Sequence, residues 1–274
     1  MKILLTGEPK SGKSTMLAAL LNCIDHKKGI LTEEVVDDAG RRTGFRAISS
    51  MGDSQIIAGS DRPTEIKVGR FYVYVDKINS IAKSLLENSG ATASEVLYID
   101  EIGKMQLHSN DFKKLITDYV HESSDFIGTI TSVWNDEFIN DVKKTEGIIV
   151  ISIDEENREL IRKALIAYFE NRSLIDKLSK DQQEFVKNKS ASLLHNERYL
   201  SFYKLFNNSI GYVIKNKVTE ENSSQYVVEG EHDNHIVSVS GRSLSCDCKM
   251  YKGELEPNEK GECSHIYAVK IINI

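Results

Sequence analysis

Positive charge is in short supply in this chain. Its 274 residues hold 35 basic against 41 acidic side chains, a formal charge of −6, so no broad field draws it to nucleic acid or to an anionic membrane. Any polyanion site must be local. Cysteine is scarce as well: four in a chain this long make no disulfide framework. Three of them crowd into the last 29 residues beside a histidine, a grouping that suggests metal. No internal repeat or low-complexity tract appears, and 40% hydrophobic content is ordinary for one large α/β domain plus a small one. Met1 to Leu5 carries one lysine among four apolar residues, too short for the apolar region of a signal peptide or for a bilayer span. A cytoplasmic protein with no membrane partner is the expectation.

What is present begins at residue 7. Gly7-Glu8-Pro9-Lys10-Ser11-Gly12-Lys13-Ser14 fits the phosphate-loop pattern, after the apolar run Lys2-Ile3-Leu4-Leu5-Thr6 and before the helical stretch from Thr15 to Leu21. The glycines let successive N–H groups face inward, and the start of the helix adds the positive end of its dipole. Residues Gly7 to Thr15 are the expected cradle for a nucleoside triphosphate. Lys13 reaches the β/γ-phosphates in this motif, and Ser14 holds Mg²⁺.

Apolar runs then alternate with helical patterns: Ile30 to Val36, Phe71 to Val75, a helix near Asp76 to Asn88, Val96 to Ile99, a helix from about Asp111 to Val120, the strands Phe126 to Thr131 and Ile148 to Ile153, and a helix from Glu155 to about Phe169. This rhythm predicts an α/β fold, a mostly parallel sheet flanked by helices, over residues 1–170. Gly29 to Ser50, split by Asp37-Asp38-Ala39-Gly40, reads as an inserted hairpin. Residues 171–210 read as a helical connector, with seven basic against four acidic residues up to residue 208. Residues 211–274 read as a small β-rich module with strands at Tyr212 to Val218, Gln225 to Glu229 and Ile236 to Val239, the first two separated by a turn at Glu220 to Ser224.

Glu95-Val96-Leu97-Tyr98-Ile99-Asp100-Glu101 is an apolar strand ending in two carboxylates, where the C-terminal edge of a parallel sheet sets them beside the glycine loop. Asp100 is the expected Mg²⁺ partner, and Glu101 is suited to orient and deprotonate an attacking water. Phosphoryl transfer spreads negative charge over the γ-phosphoryl oxygens, so an arginine there raises the rate. Arg41 and Arg42, in a glycine-flanked turn, and Arg158, beside Asn157 at a helix start, are the candidates.

Gly29-Ile30-Leu31-Thr32-Glu33-Glu34-Val35, Gly40-Arg41-Arg42-Thr43-Gly44-Phe45, Ile99-Asp100-Glu101-Ile102-Gly103-Lys104-Met105 and Asn157-Arg158, together with the loop, resemble the nucleoside-triphosphatases of the THEP1 family over about residues 1–170. The resemblance implies a P-loop NTPase fold and makes Glu101 the base. Two positions depart from the family pattern: Lys10 stands for the usual middle glycine of the loop, and Gln106 for the usual glutamate after Met105.

Cys246-Asp247-Cys248, fourteen residues, then Cys263-Ser264-His265 offer three thiolates and one imidazole, a tetrahedral Zn²⁺ set. The following apolar stretch, Ile266 to Ile272, reads as a short helix that the metal would pin to a hairpin. His232 and His235 are the nearest alternatives as ligands, but they lie in an acidic, turn-like stretch and read as solvated. The arrangement resembles the SWIM zinc finger over residues 211–274, which implies binding of a protein or nucleic-acid partner. Seven basic against ten acidic residues there favour a protein surface or a very local nucleic-acid contact.

The reading that uses most of these residues is an Mg²⁺-dependent nucleoside-5′-triphosphate hydrolase with a zinc-binding interaction module. A phosphotransferase and a nucleotide-gated binding switch stay open as alternatives, although no arginine-rich lid segment appears that would enclose a second nucleotide.

Overall fold

Lys2–Thr6 is strand β1, with Ile3, Leu4 and Leu5 all buried. An unbroken apolar run of this kind belongs to a parallel strand covered on both faces. The computed structural model describes residues 1–87, 95–230, 232–252 and 262–274. Asn88, the expected end of one helix, and residues 253–261 of the segment between the cysteine pairs lie outside the described residues. By contact the chain divides into two units, Met1–Glu156 and Asn157–Ile274.

In the first unit β1 is followed by α1 (Lys13–Leu21), β2 (Lys27–Val36), β3 (Arg42–Ser49), β4 (Ser54–Gly59), β5 (Lys67–Val68), β6 (Phe71–Val73), α2 (Val75–Glu87), β7 (Val96–Ile102), α3 (Asn110–His121), β8 (Asp125–Ile130), α4 (Glu137–Lys144) and β9 (Ile148–Ser152). Across the sheet the order is β5-β6-β4-β3-β2-β7-β8-β1-β9. The run β2-β7-β8-β1-β9 is parallel throughout. From β2 outward the pairing turns antiparallel, because the expected hairpin, closed at Asp37–Gly40, folds β3 back on β2 and the chain then adds β4, β6 and β5. Strand β6 falls within the expected run Phe71 to Val75; β4 and β5 were not expected, because their short, broken runs carry no clear period.

Helices α2 and α3 bury one stripe each. Ile78, Ile81, Ala82 and Leu85 recur at helical spacing on α2, as do Phe112, Leu115, Ile116 and Tyr119 on α3. Ser109 caps α3 by accepting the Phe112 N–H at 3.0 Å. Together with Leu4, Ile30, Leu97 and Phe126 they form one core. Strand β8 lies between β7 and β1, so the loop after β1 and the acidic end of β7 come together across its end.

The second unit runs through α5 (Arg158–Asn171), α6 (Lys180–His195), α7 (Tyr199–Lys204), α8 (Ile210–Ile214), β10 (Val218–Asn222), β11 (Gln225–Glu229), β12 (Asn234–Ser240), β13 (Ser243–Cys246), α9 (Lys249–Lys252) and α10 (Ser264–Ile272). Ser179 and Gln182 form a capping box at the start of α6. A π-helical turn, Leu205–Ser209, joins α7 to α8. The four strands make an antiparallel meander. Helix α10 packs on it through Ile266, Ala268 and Val269.

Two expectations change here. Helix α5, expected to close the first domain, packs on α7 of the second unit, where the Tyr168 ring lies 5.0 Å from Phe206 and 6.1 Å from Phe202. The stretch read as a connector therefore supplies core: Leu193, Leu194, Phe202 and Phe206 are buried. The expected strand Tyr212 to Val218 is also replaced, since Tyr212 lies in α8 and the first strand runs from Val218 to Asn222. Residues Glu220 to Asn222, read as turn, are strand instead. They can be polar because β10 is an edge strand with most of its side chains exposed. No helix among the described residues is long and apolar enough to cross a membrane.

Candidate functional site

The loop after β1 is shaped by backbone conformations that few residues adopt. Gly7 has φ +142° and Gly12 has φ +97°. A Cβ on Gly7 would lie 2.4 Å from the Ile153 carbonyl oxygen, so glycine there lets the loop pass against the end of β9. Lys10, at the position where the family resemblance expected glycine, takes the left-handed conformation itself, at φ +69°. No side chain caps the first turn of α1 and no acidic residue occupies it, so its N–H groups are open to an anion. The Ser11 hydroxyl is buried inside the loop with no hydrogen-bond partner among the described residues.

Lys13 is tied to the loop itself, its Nζ donating to the carbonyls of Gly7 and Glu8, each at 2.9 Å. Ser14 Oγ donates to Asp100 Oδ1 at 2.9 Å. Asp100 is 3% exposed and also receives the Thr129 hydroxyl, while its backbone carbonyl accepts from Thr32. Burial pushes its carboxyl above the ordinary carboxylate range, against the pull of Thr129, Ser14 and the Lys13 charge. Glu101 is pushed up too, first by burial and then by the neighbouring Asp100, with Lys13 opposing. Ser14 and Asp100 are two hard oxygen donors side by side, the kind of set that suits Mg²⁺.

These residues open into a cleft of about 760 Å³. Its lining includes Lys10, Gly12, Lys13, Ser14, Thr15, Arg42 and Glu101 from the sequence reading. Beyond the phosphate loop its wall is apolar and aromatic, built by Phe45, Val68, Met105, Val133 and Trp134. Gln106, at the second position that departs from the family pattern, is 4% exposed and faces the same space. Of the three arginines, Arg42 pairs with Glu34 and its guanidinium lies 5.4 Å from the Phe45 ring. Arg41 is 78% exposed and pairs with Asp37 at 2.8 Å. Arg158 begins α5 in the second unit.

Thr32, Thr129 and the aromatic wall were not singled out from sequence. A threonine at the end of the strand beside β7 is the one local signal that pointed to Thr129.

In the second unit, Cys246 at the end of β13, Cys248 before α9, Cys263 at the N-cap of α10 and His265 in its first turn come together. Their four ligand atoms all lie within 4.8 Å of one another, and all four residues are buried. Cys246 Sγ stands 3.7 Å from His265 Nδ1. A tetrahedral Zn²⁺ with bonds of about 2.0–2.3 Å needs donors roughly 3.5–3.8 Å apart, a spacing that the Cys246–His265 pair matches. None of the three cysteines is in a disulfide. The Tyr251 N–H points at Cys248 Sγ at 3.3 Å, a contact that favours thiolate. The His265 ring stacks on Tyr212 at 5.8 Å and meets the His235 ring at 4.2 Å. His235 Nδ1 lies 3.2 Å from Asp247 Oδ1, so it supports the set from outside.

A family model described as NTPase matches residues 2–166. The chain belongs to this NTPase family. Its relatives in the NTPase family include the nucleoside-triphosphatase THEP1 of Thermotoga petrophila, 32% identical over 166 residues that make up 61% of this chain and 91% of the relative. That of Aquifex aeolicus is 30% identical over 177 residues, 62% of this chain and 99% of the relative. The crystal structure of THEP1 from Aquifex aeolicus aligns with a TM-score of 0.55 at 31% identity, covering 62% of this chain and 99% of that one. The solution structure of a human cancer-related nucleoside triphosphatase shares the fold, with a TM-score of 0.51 at 24% identity over 60% of this chain and 95% of that one. The NTPase family match ends inside α5.

Proposed function

We propose that the first unit hydrolyses nucleoside 5′-triphosphates to the diphosphate and phosphate with Mg²⁺, and that the second unit holds one structural Zn²⁺. The observation that carries the first part is the hydrogen bond from Ser14 to Asp100 at the mouth of the phosphate loop. It joins the hydroxyl of the loop to the acidic strand end, the pair that phosphate-loop enzymes use for the metal.

When bound, Mg²⁺ supplies positive charge to the β- and γ-phosphoryl oxygens, with Ser14 and Asp100 as its protein partners. The rest is the work of this chain's own groups. Lys13 exchanges the Gly7 and Glu8 carbonyls for phosphate oxygens. The open N–H groups of α1 and the loop orient the phosphates. Glu101 aligns a water and takes its proton as the oxygen attacks the γ-phosphorus and the bond to the β-phosphate oxygen breaks. Its raised pKa makes it a stronger base than an ordinary carboxylate.

Phosphate release from ATP, GTP, CTP and UTP tests this reading directly. Release with Mg²⁺, and none with chelator, is expected; no release from any of the four overturns it. Adding single-stranded DNA, double-stranded DNA or RNA tests whether the second unit has a nucleic-acid partner. Seven basic against ten acidic residues over 211–274 support a protein surface as its target.

A further inference from the structure

Besides Lys10 and Lys13 the cleft holds a third lysine that pairs with no carboxylate among the described residues. Lys104 lines it together with Lys13 and Glu101. Its Nζ lies 5.9 Å from the centre of the Trp134 ring, and it makes no ion pair among the described residues. Of the arginines first considered for this role, Arg41 and Arg42 each pair with a carboxylate.

The local chain explains how Lys104 comes to stand beside the base. Gly103 follows β7 directly, and a Cβ there would lie 3.3 Å from the Glu101 carboxyl carbon and Oε1. The Glu101 carboxylate thus lies against Gly103, and the next residue is Lys104. The Gly103 carbonyl accepts the Leu107 N–H at 3.2 Å, and the 3₁₀ turn Gln106–His108 closes with the Ser109 N–H on the Gln106 carbonyl at 3.0 Å. The loop is anchored; the lysine side chain is exposed and long enough to move.

We propose that Lys104 is a catalytic residue whose ammonium leaves the Trp134 face and contacts the γ-phosphoryl oxygens as their charge grows in the transition state. It takes in cis the part that an arginine finger plays in other phosphate-loop enzymes. An exposed ammonium near the ~6 Å limit of ring attraction is weakly held, and a phosphoryl group carrying several charges outcompetes the ring. Lys13 keeps the bridging position on the loop side, and Lys104 approaches from the side of Glu101. The proposal rests on the reading of the cleft as a triphosphate site.

The test uses the full chain with Lys104→Met and Lys104→Arg, each checked by thermal melting. Turnover, KM and the binding of MgADP with and without aluminium fluoride are measured; the fluoride complex imitates the planar phosphoryl group. Lys104→Met should lower kcat by about 10²-fold, the size of one lost transition-state donor. Its KM should stay close to the wild-type value, and it should lose the tightening of MgADP by aluminium fluoride, while Lys104→Arg retains part of both. Full turnover in Lys104→Met, or a parallel loss of MgADP affinity without fluoride, overturns the assignment. A wild-type chain that releases no phosphate from any triphosphate overturns the reading of the cleft itself, which separates the two failures.

Discussion

Lys13 Nζ donates to the carbonyl oxygen of Gly7, six residues back along the same loop, at 2.9 Å. The lysine thus bridges its own loop. Lys13→Ala removes both this brace and the cation for the β/γ-phosphates, and no neighbour replaces it, because Lys10 leaves the loop at a different backbone angle. Binding of Mg-nucleotide should be abolished in equilibrium titration, and hydrolysis at a near wild-type rate would refute the assignment.

Glu101→Gln separates binding from chemistry. Nucleotide affinity should persist while turnover falls roughly 10²- to 10⁴-fold, the range for a general base. The same variant makes a prediction about the metal-free, nucleotide-free protein. Burial raises the folded-state pKa of Glu101, so its contribution to stability is complete below the unfolded carboxylate range and is lost as pH rises through the raised value. Glutamine carries no charge to desolvate. The variant should melt above the wild type at neutral pH, and the gap should close as pH falls toward about 4.5. A gap that widens on acidification contradicts the assigned direction.

Gly7→Ala tests the loop's geometry. The added methyl meets the Ile153 carbonyl oxygen at 2.4 Å and Ser11 Oγ at 2.9 Å, at a φ of +142°. The cost should be on the order of 2–3 kcal/mol in urea unfolding of the first unit, together with loss of nucleotide binding. Unchanged stability would mean that the loop relaxes away from β9.

Metal analysis of protein purified under reducing conditions should give one zinc per chain, and Cys248→Ser with Cys263→Ser should lose it. Ligation needs thiolate and neutral imidazole, so removing the metal should destabilise the sheet and helix α10 that carry the four ligands. Hydrogen exchange should report loss of protection in β11, β12 and α10, with no change in β1 or β7. Protein free of zinc that keeps α10 protected would show that the cysteines only fill a core.

The phosphate loop was legible because its chemistry is local: Gly7 to Ser14 are contiguous, and the strand and helix around them are strongly apolar. Asp100 and Glu101 were legible for a related reason, since acidic residues closing an apolar strand mark a sheet edge. The buried cluster of Cys246, Cys248, Cys263 and His265 stood out by residue type and spacing alone. The outer wall of the cleft did not. Phe45, Val68, Met105 and Trp134 come from four separate segments, and no periodicity in any one of them says which side chain faces a common space. Helix α4 was missed because two turns give too few periodic positions, although Asp136 caps it and its last turn is basic. Lys104 appeared in the sequence only as one position of the block Ile99 to Met105; its place near Trp134 comes from the folded chain.

Helix α5 has a double allegiance. Residues up to 166 match the family, yet the same helix contributes Tyr168 to an aromatic cluster with Phe202 and Phe206 in the second unit. The end of the family match therefore falls within a packed helix and not in a spacer. Chimaeras that join the two halves of this chain to foreign partners should tolerate a crossover near residue 156 and fail near residue 170. A cut at 170 parts Tyr168 from the two phenylalanines it packs against and uncovers an apolar face on each fragment.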